Sequence, residues 1–103
     1  PIESMMEVLK VNVIPEKSID KNIQLLFSFT DSSKSFSLFL RRGVLEIQPF
    51  MIPGSSVQVL SKEDDLKAIL SGLKSLPISM VNGTLEIEGS RSDLLSFFSS
   101  LRS

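Results

Sequence analysis

Residues 23–47 read IQLLFSFTDSSKSFSLFLRRGVLEI. From Ile23 onward, apolar side chains recur at every second position, the period of a strand with one dry face. Ile23, Leu25, Phe27 and Phe29 share a side, while Gln24, Ser28 and Thr30 take the other; Leu26 breaks the alternation. Residues 31–34 (DSSK) form a polar turn. The next run points Phe36, Leu38 and Leu40 one way and Ser35, Ser37 and Arg41 the other, leaving Phe39 as an apolar residue on the wet side. Arg42 and Gly43 then make a tight turn into VLEIQ, whose Leu45 and Ile47 face inward. Strands joined by turns this short build an antiparallel meander with one buried face.

Working outward, residues 2–9 (IESMMEVL) place Ile2, Met5, Met6 and Leu9 on one helical stripe. After the meander, PFMIPG (49–54) interrupts regular structure with two prolines. SVQVL supplies a fourth strand with Val57 and Val59 inward. Ser61 is expected to cap a helix, with Asp64 three residues later in a capping-box arrangement. Leu66, Ile69, Leu70 and Leu73 form its stripe, and Gly72 helps to end it. Asn82 and Gly83 turn into TLEIE, a fifth strand. Ser90 and Asp93 cap a last helix whose Leu94, Leu95, Phe97, Phe98 and Leu101 are apolar, with Leu94, Phe98 and Leu101 at the centre of the face. The segment between Leu60 and Thr84 is long enough for a crossover between parallel strands. The fold class that follows is α+β: a mixed, mainly antiparallel five-stranded sheet with helices packed on one face.

At 103 residues the chain is expected to be a single domain over residues 1–103. Eleven Lys and Arg against twelve Asp and Glu give a net charge of −1, which offers no field for a polyanion, so nucleic acid is not an expected partner. The chain has no Cys and no His. That removes disulfides, thiolates, the usual zinc ligands and the usual general base. No catalytic residue, metal or cofactor is therefore expected. No apolar run approaches the ~20 residues that span a bilayer, and the N-terminus shows no basic region followed by an apolar one. A soluble protein is expected, with the compartment open and the cytoplasm as default. A start at Pro1 points to a piece of a longer chain or a lost initiator methionine.

Glu86 and Glu88 stand about 6.6 Å apart along a strand, within the range of paired glycosidase carboxylates. They lie on the side of Gln24, Ser28, Glu46, Gln48 and Gln58, however, and read as solvated residues rather than an acid/base pair. The serines of DSSKS and SFFSSLRS have no base to activate them. Arg41 and Arg42 could hold a sulfate or phosphate head group; the simpler reading is a solvated hairpin tip. Large flexible apolar residues gather at chain breaks: Phe50, Met51 and Ile52 between prolines, and Leu73, Leu76, Ile78, Met80 and Val81 around Pro77. Such residues either line a cavity mouth or close the ends of the core.

The order of these motifs resembles the sterol carrier protein type 2-like fold, and more closely the C-terminal domain of metallo-β-lactamase-type alkyl sulfatases. The resemblance rests on residues 23–47 and on NGTLEIEGSRSDLLSFFSSL (82–101), and it covers nearly the whole chain. Arg42 departs from the Asn usual in that hairpin turn, and residues 49–54 are unusually apolar. The ending Leu101-Arg102-Ser103 differs from the Ser-Lys-Leu type that addresses stand-alone carriers to peroxisomes. The resemblance implies an apolar tunnel between sheet and helices that receives aliphatic chains, with zinc chemistry confined to a separate N-terminal domain. The expected function is non-catalytic binding of a long-chain aliphatic or lipid-like group, recruiting substrate for an alkyl-sulfatase-type catalytic domain of the same chain. Candidate pocket residues are Phe27, Phe29, Phe36, Leu38 and Leu40 from the sheet, with Met51, Ile52, Leu73, Met80, Phe98 and Leu101 from the breaks and helices. The alternative is a protein-interaction or oligomerisation module with no ligand of its own.

Overall fold

The alternation in residues 23–47 becomes three paired strands in the computed structural model, which describes residues 1–102. Strands β1 (Asn22–Phe29), β2 (Lys34–Arg41) and β3 (Val44–Gln48) form the antiparallel meander. Strands β4 (Val57–Ser61) and β5 (Glu86–Gly89) continue the sheet beyond β1, in the order β3-β2-β1-β4-β5. The helices are α1 (Ile2–Val11), α2 (Pro15–Ser18), α3 (Glu63–Leu70), α4 (Leu76–Val81) and α5 (Arg91–Ser99). The core lies between one face of the sheet and α1, α3 and α5, where Phe27, Phe29 and Leu38 meet Met6, Leu66 and Phe97. This is the α+β, five-stranded mixed sheet that the two periodicities predict. Ser103, the last residue of the Leu101-Arg102-Ser103 ending, lies outside the described residues.

The parallel pairing arises elsewhere than expected. β4 and β5, joined through α3 and α4, pair antiparallel, and the parallel pair is β1 with β4. It follows from the connection between β3 and β4, residues 49–56, which must pass β2 and β1 to reach its place in the sheet. It does so as a strap over the face opposite the helices. The Ser37 hydroxyl donates to the Phe50 carbonyl and accepts from the Ile52 N–H, both at 2.8 Å. Gln24 Nε2 donates to the Ile52 and Pro53 carbonyls at 3.1 Å. These bonds satisfy backbone groups that an irregular segment would otherwise leave unpaired. They also explain Leu26, which shares a cross-strand row with Ser37 and is 7% exposed. Its side of the sheet is dry under the strap.

Helix ends show where local sequence misleads. Ser61 does not cap α3: it is the last residue of β4, in register with Phe29, and its hydroxyl donates to the Lys62 carbonyl. The cap comes from the β1–β2 turn, where the Asp31 carboxylate accepts from the Glu63 N–H at 3.2 and 3.4 Å. Asp31→Ala is therefore expected to cost about 0.5–2 kcal/mol, with Asp31→Asn close to wild type; urea unfolding of the three proteins checks this. Ser90 caps α5 as expected, accepting from the Asp93 N–H at 3.1 Å. A further helix, α4, forms where a break was expected, because Ser75 accepts from the Ile78 N–H and Pro77 sits in the first turn, where no amide is needed. On α5 the buried centre is Leu94 and Phe97, both 0% exposed, with Phe98 half-buried beside them. The expected centre at Phe98 is thus one residue out, since the rotation of a short helix on a sheet is set by what it meets. Here Phe97 stands edge-on to Phe27, with ring centroids 6.2 Å apart.

Arg42 and Gly43 turn β2 into β3 with φ of 52° and 81°. Both central residues of a tight two-residue hairpin adopt positive φ, which is why Asn-Gly is preferred there. For a residue with a full side chain the left-handed region costs roughly 1–2 kcal/mol. Glu86 and Glu88 are exposed, on the face away from the helices.

Candidate functional site

The C-terminal ends of α3 and α5 border a groove of about 250 Å³. Ile69, Leu70 and Gly72 form one side, and Phe98, Leu101 and Arg102 the other. Gly72 ends α3 with φ of 82° in open space, so no side chain fills the groove from there. The Phe98 ring stands edge-on to Phe97 at 5.5 Å, and Phe97 edge-on to Phe27 at 6.2 Å. Three aromatic rings thus run from the groove wall to the floor of the core.

The wall is held in place by backbone and by one cation. Leu101 forms a bridge with Val13, the Ile14 N–H donates to the Ser100 carbonyl at 2.8 Å, and the Arg102 N–H donates to Asn12 at 2.8 Å. Lys21 Nζ donates to the Ser96 carbonyl and to Ser100 Oγ, both at 2.9 Å. An ammonium there donates to one carbonyl of the last turn of α5 and opposes the negative end of its dipole. The serine-rich end of the sequence is therefore a C-terminal cap, with Ser100 fully buried. Arg102 is the charged side chain at the groove, and the remaining walls are mostly apolar.

The expected pocket residues fall into separate places. Phe27, Phe29, Phe36, Leu38 and Leu40 lie on the helix-covered face of β1 and β2, each at most 4% exposed and packed into the core. Phe98 and Leu101 come together at the groove. Met80, on α4, packs half-buried at the core margin. Met51, 56% exposed, and Ile52 belong to the strap on the opposite face of the sheet, and Leu73 is 83% exposed just beyond α3. One pocket cannot hold all eleven, because the sheet itself separates Met51 and Ile52 from Phe98. Ile69, Leu70 and Arg102 were not anticipated as groove residues. Ile69 and Leu70 carried a signal, being the last apolar pair of an eight-residue helix that stops at a glycine.

The family model of the alkyl sulfatase C-terminal region matches residues 1–103, the full chain. The chain belongs to the alkyl sulfatase C-terminal family. A linear primary-alkylsulfatase of Pseudomonas sp. (strain ATCC 19151) is 26% identical over 97 residues, covering 94% of this chain and 18% of that protein. The stereoselective inverting sec-alkylsulfatase Pisa1 of Pseudomonas sp. superposes with a TM-score of 0.94 at 25% identity, covering 100% of this chain and 16% of the enzyme. The alkyl sulfatase C-terminal chain thus spans less than a fifth of these relatives. Sterol carrier protein 2-like 2 of Aedes aegypti shares the fold, with a TM-score of 0.69 at 17% identity over 95% of this chain and 93% of that one. A palmitated form of that mosquito protein aligns with a TM-score of 0.65 at 18% identity, over 95% and 90% of the two chains. The likeness covers both resemblances read from residues 23–47 and 82–101.

Proposed function

We propose that this alkyl sulfatase C-terminal domain binds a long-chain aliphatic group between α3 and α5 and supplies it to a catalytic domain of the same chain. The observation that carries the reading is the apolar groove of Ile69, Leu70, Phe98 and Leu101, joined by aromatic contact to the core. The palmitated relative of the same fold supports an alkyl chain as the occupant. Phe98 and Leu101 act as the entrance. The deeper candidates Phe27, Phe29, Phe36, Leu38 and Leu40 form the floor that a chain reaches as α5 and the sheet part. The driving force is desolvation of methylenes, about 0.8 kcal/mol each at most, or up to about fourfold in affinity per CH₂.

A melting series with monomeric n-alkanols from C8 to C14 tests this. The midpoint rises with chain length, because a ligand of the folded state stabilises it by mass action. Phe98→Ala is expected to cost about 1–2 kcal/mol, a half-buried ring losing fewer contacts than a buried one, and to move the preferred length upward. A midpoint flat across the series contradicts the proposal. The second reading, an interaction module, is favoured by Phe50 and Met51, 53% and 56% exposed on the strap. It predicts instead a scattering mass that falls to the monomer value in Phe50→Ser or Met51→Ser.

A further inference from the structure

A second groove, of about 510 Å³, lies on the face of the sheet opposite the helices and apart from the α3–α5 site. Strand register builds it. Asn22, Arg41 and Val44 form one cross-strand row, and Gln24, Phe39 and Glu46 the next. Phe39 and Val44 supply an apolar floor, and Arg41, Arg42 and Asn22 surround it with donors. This gives a reason for Phe39, the apolar residue on the wet side of β2, which is half-buried there. Lys21 also lines the groove, but its ammonium is committed to the end of α5.

Charge and strain point the same way. Among the described residues neither Arg41 nor Arg42 has a carboxylate within 4 Å, although Glu46 lines the same groove. Two guanidinium groups without partners sit beside exposed apolar surface. Arg42 moreover occupies the left-handed turn position, at φ 52°, where Asn is the unstrained choice. A residue kept in a costly conformation is a pointer to function when its side chain faces a cavity.

We propose that this outer groove binds a small oxyanion head bearing a short apolar body, a sulfate monoester or a carboxylate. Arg41 and Arg42 donate to the oxygens in the forked geometry that guanidinium groups favour. Phe39 and Val44 cover the first methylenes, and the two guanidinium groups, set against the single carboxylate of Glu46, disfavour a cationic head. The site is independent of the aliphatic groove, so the two readings succeed or fail separately.

The test is amide-shift titration of the ¹⁵N-labelled domain with four monomeric probes: octyl sulfate, octanoate, octyltrimethylammonium and inorganic sulfate. The wild type is compared with Arg41→Gln/Arg42→Asn. Octyl sulfate, octanoate or both are expected to move Asn22, Phe39 and residues 41–46, and the response of each tells sulfate ester from carboxylate. Affinity at these residues should fall at least tenfold in the double variant, while octyltrimethylammonium leaves them unmoved. Arg42→Asn alone should melt at or above the wild type while binding more weakly. Equal response to the cationic probe, unchanged affinity in the double variant, or inorganic sulfate binding as tightly as octyl sulfate would each overturn the proposal. In the same spectra, n-octanol reports on residues 69–72 and 98. Movement there with a silent outer groove sinks this site and leaves the aliphatic one standing.

Discussion

Phe97→Ala is expected to lower the unfolding free energy by about 3–5 kcal/mol, the range for deleting a fully buried aromatic ring. Phe97 is 0% exposed and is the partner through which α5 meets Phe27 of β1. Its removal leaves a cavity under a nine-residue helix. The backbone there cannot settle inward easily, because Ser90 holds one end of α5 and Lys21 the other. Phe98→Ala, one residue on, should cost less than half as much. Urea unfolding of both variants, with far-UV circular dichroism to show that the sheet persists, checks the contrast. Equal costs would mean that α5 is rotated by one position.

Gly89→Ala is expected to cost roughly 3 kcal/mol or more, from a strained backbone and a clash acting together. Gly89 has a φ of 100°, and a Cβ added there would fall inside the contact distance of the Ser56 carbonyl oxygen. That oxygen already accepts from the Ser90 N–H at 2.8 Å, while the Ser56 hydroxyl donates to Asp93 at 2.6 Å. The corner between β5 and α5 is thus pressed onto the start of β4, and neither partner is the flexible end of a long side chain. Thermal unfolding should show the loss, whereas Gly83→Ala, with no atom within 4 Å of the added Cβ, should show only the strain of its φ of 86°.

The meander was legible because one face of each strand is buried by helices, so the period of two is written directly into residues 23–47. The same reasoning placed Glu86 and Glu88 correctly in solvent. What stayed hidden was long-range. Asp31 caps a helix 32 positions away, and nothing near Glu63 announces it. The strap was seen as an apolar interruption, but only the strand order shows that it must cross the sheet, and that Ser37 and Gln24 fasten it there. For the candidate site, the apolar character of Phe98 and Leu101 was readable and their meeting with Ile69 and Leu70 was not. Apolar residues near prolines look alike in sequence, whether they sit on a short helix at the core margin, as Met80 does, or lie on a strap behind the sheet, as Met51 does.

The central claim, that an aliphatic chain enters between α3 and α5, is tested most directly by mapping amide shifts of the labelled domain with monomeric 1-dodecanol. This probe has no charge to engage Arg41, Arg42 or Arg102. The account predicts that the largest shifts fall on residues 69–72, 98 and 101, with smaller ones at Phe97 and Phe27, and that they saturate with one site. Shifts confined to residues 50–52 of the strap, or none below the solubility limit of the alcohol, would contradict it.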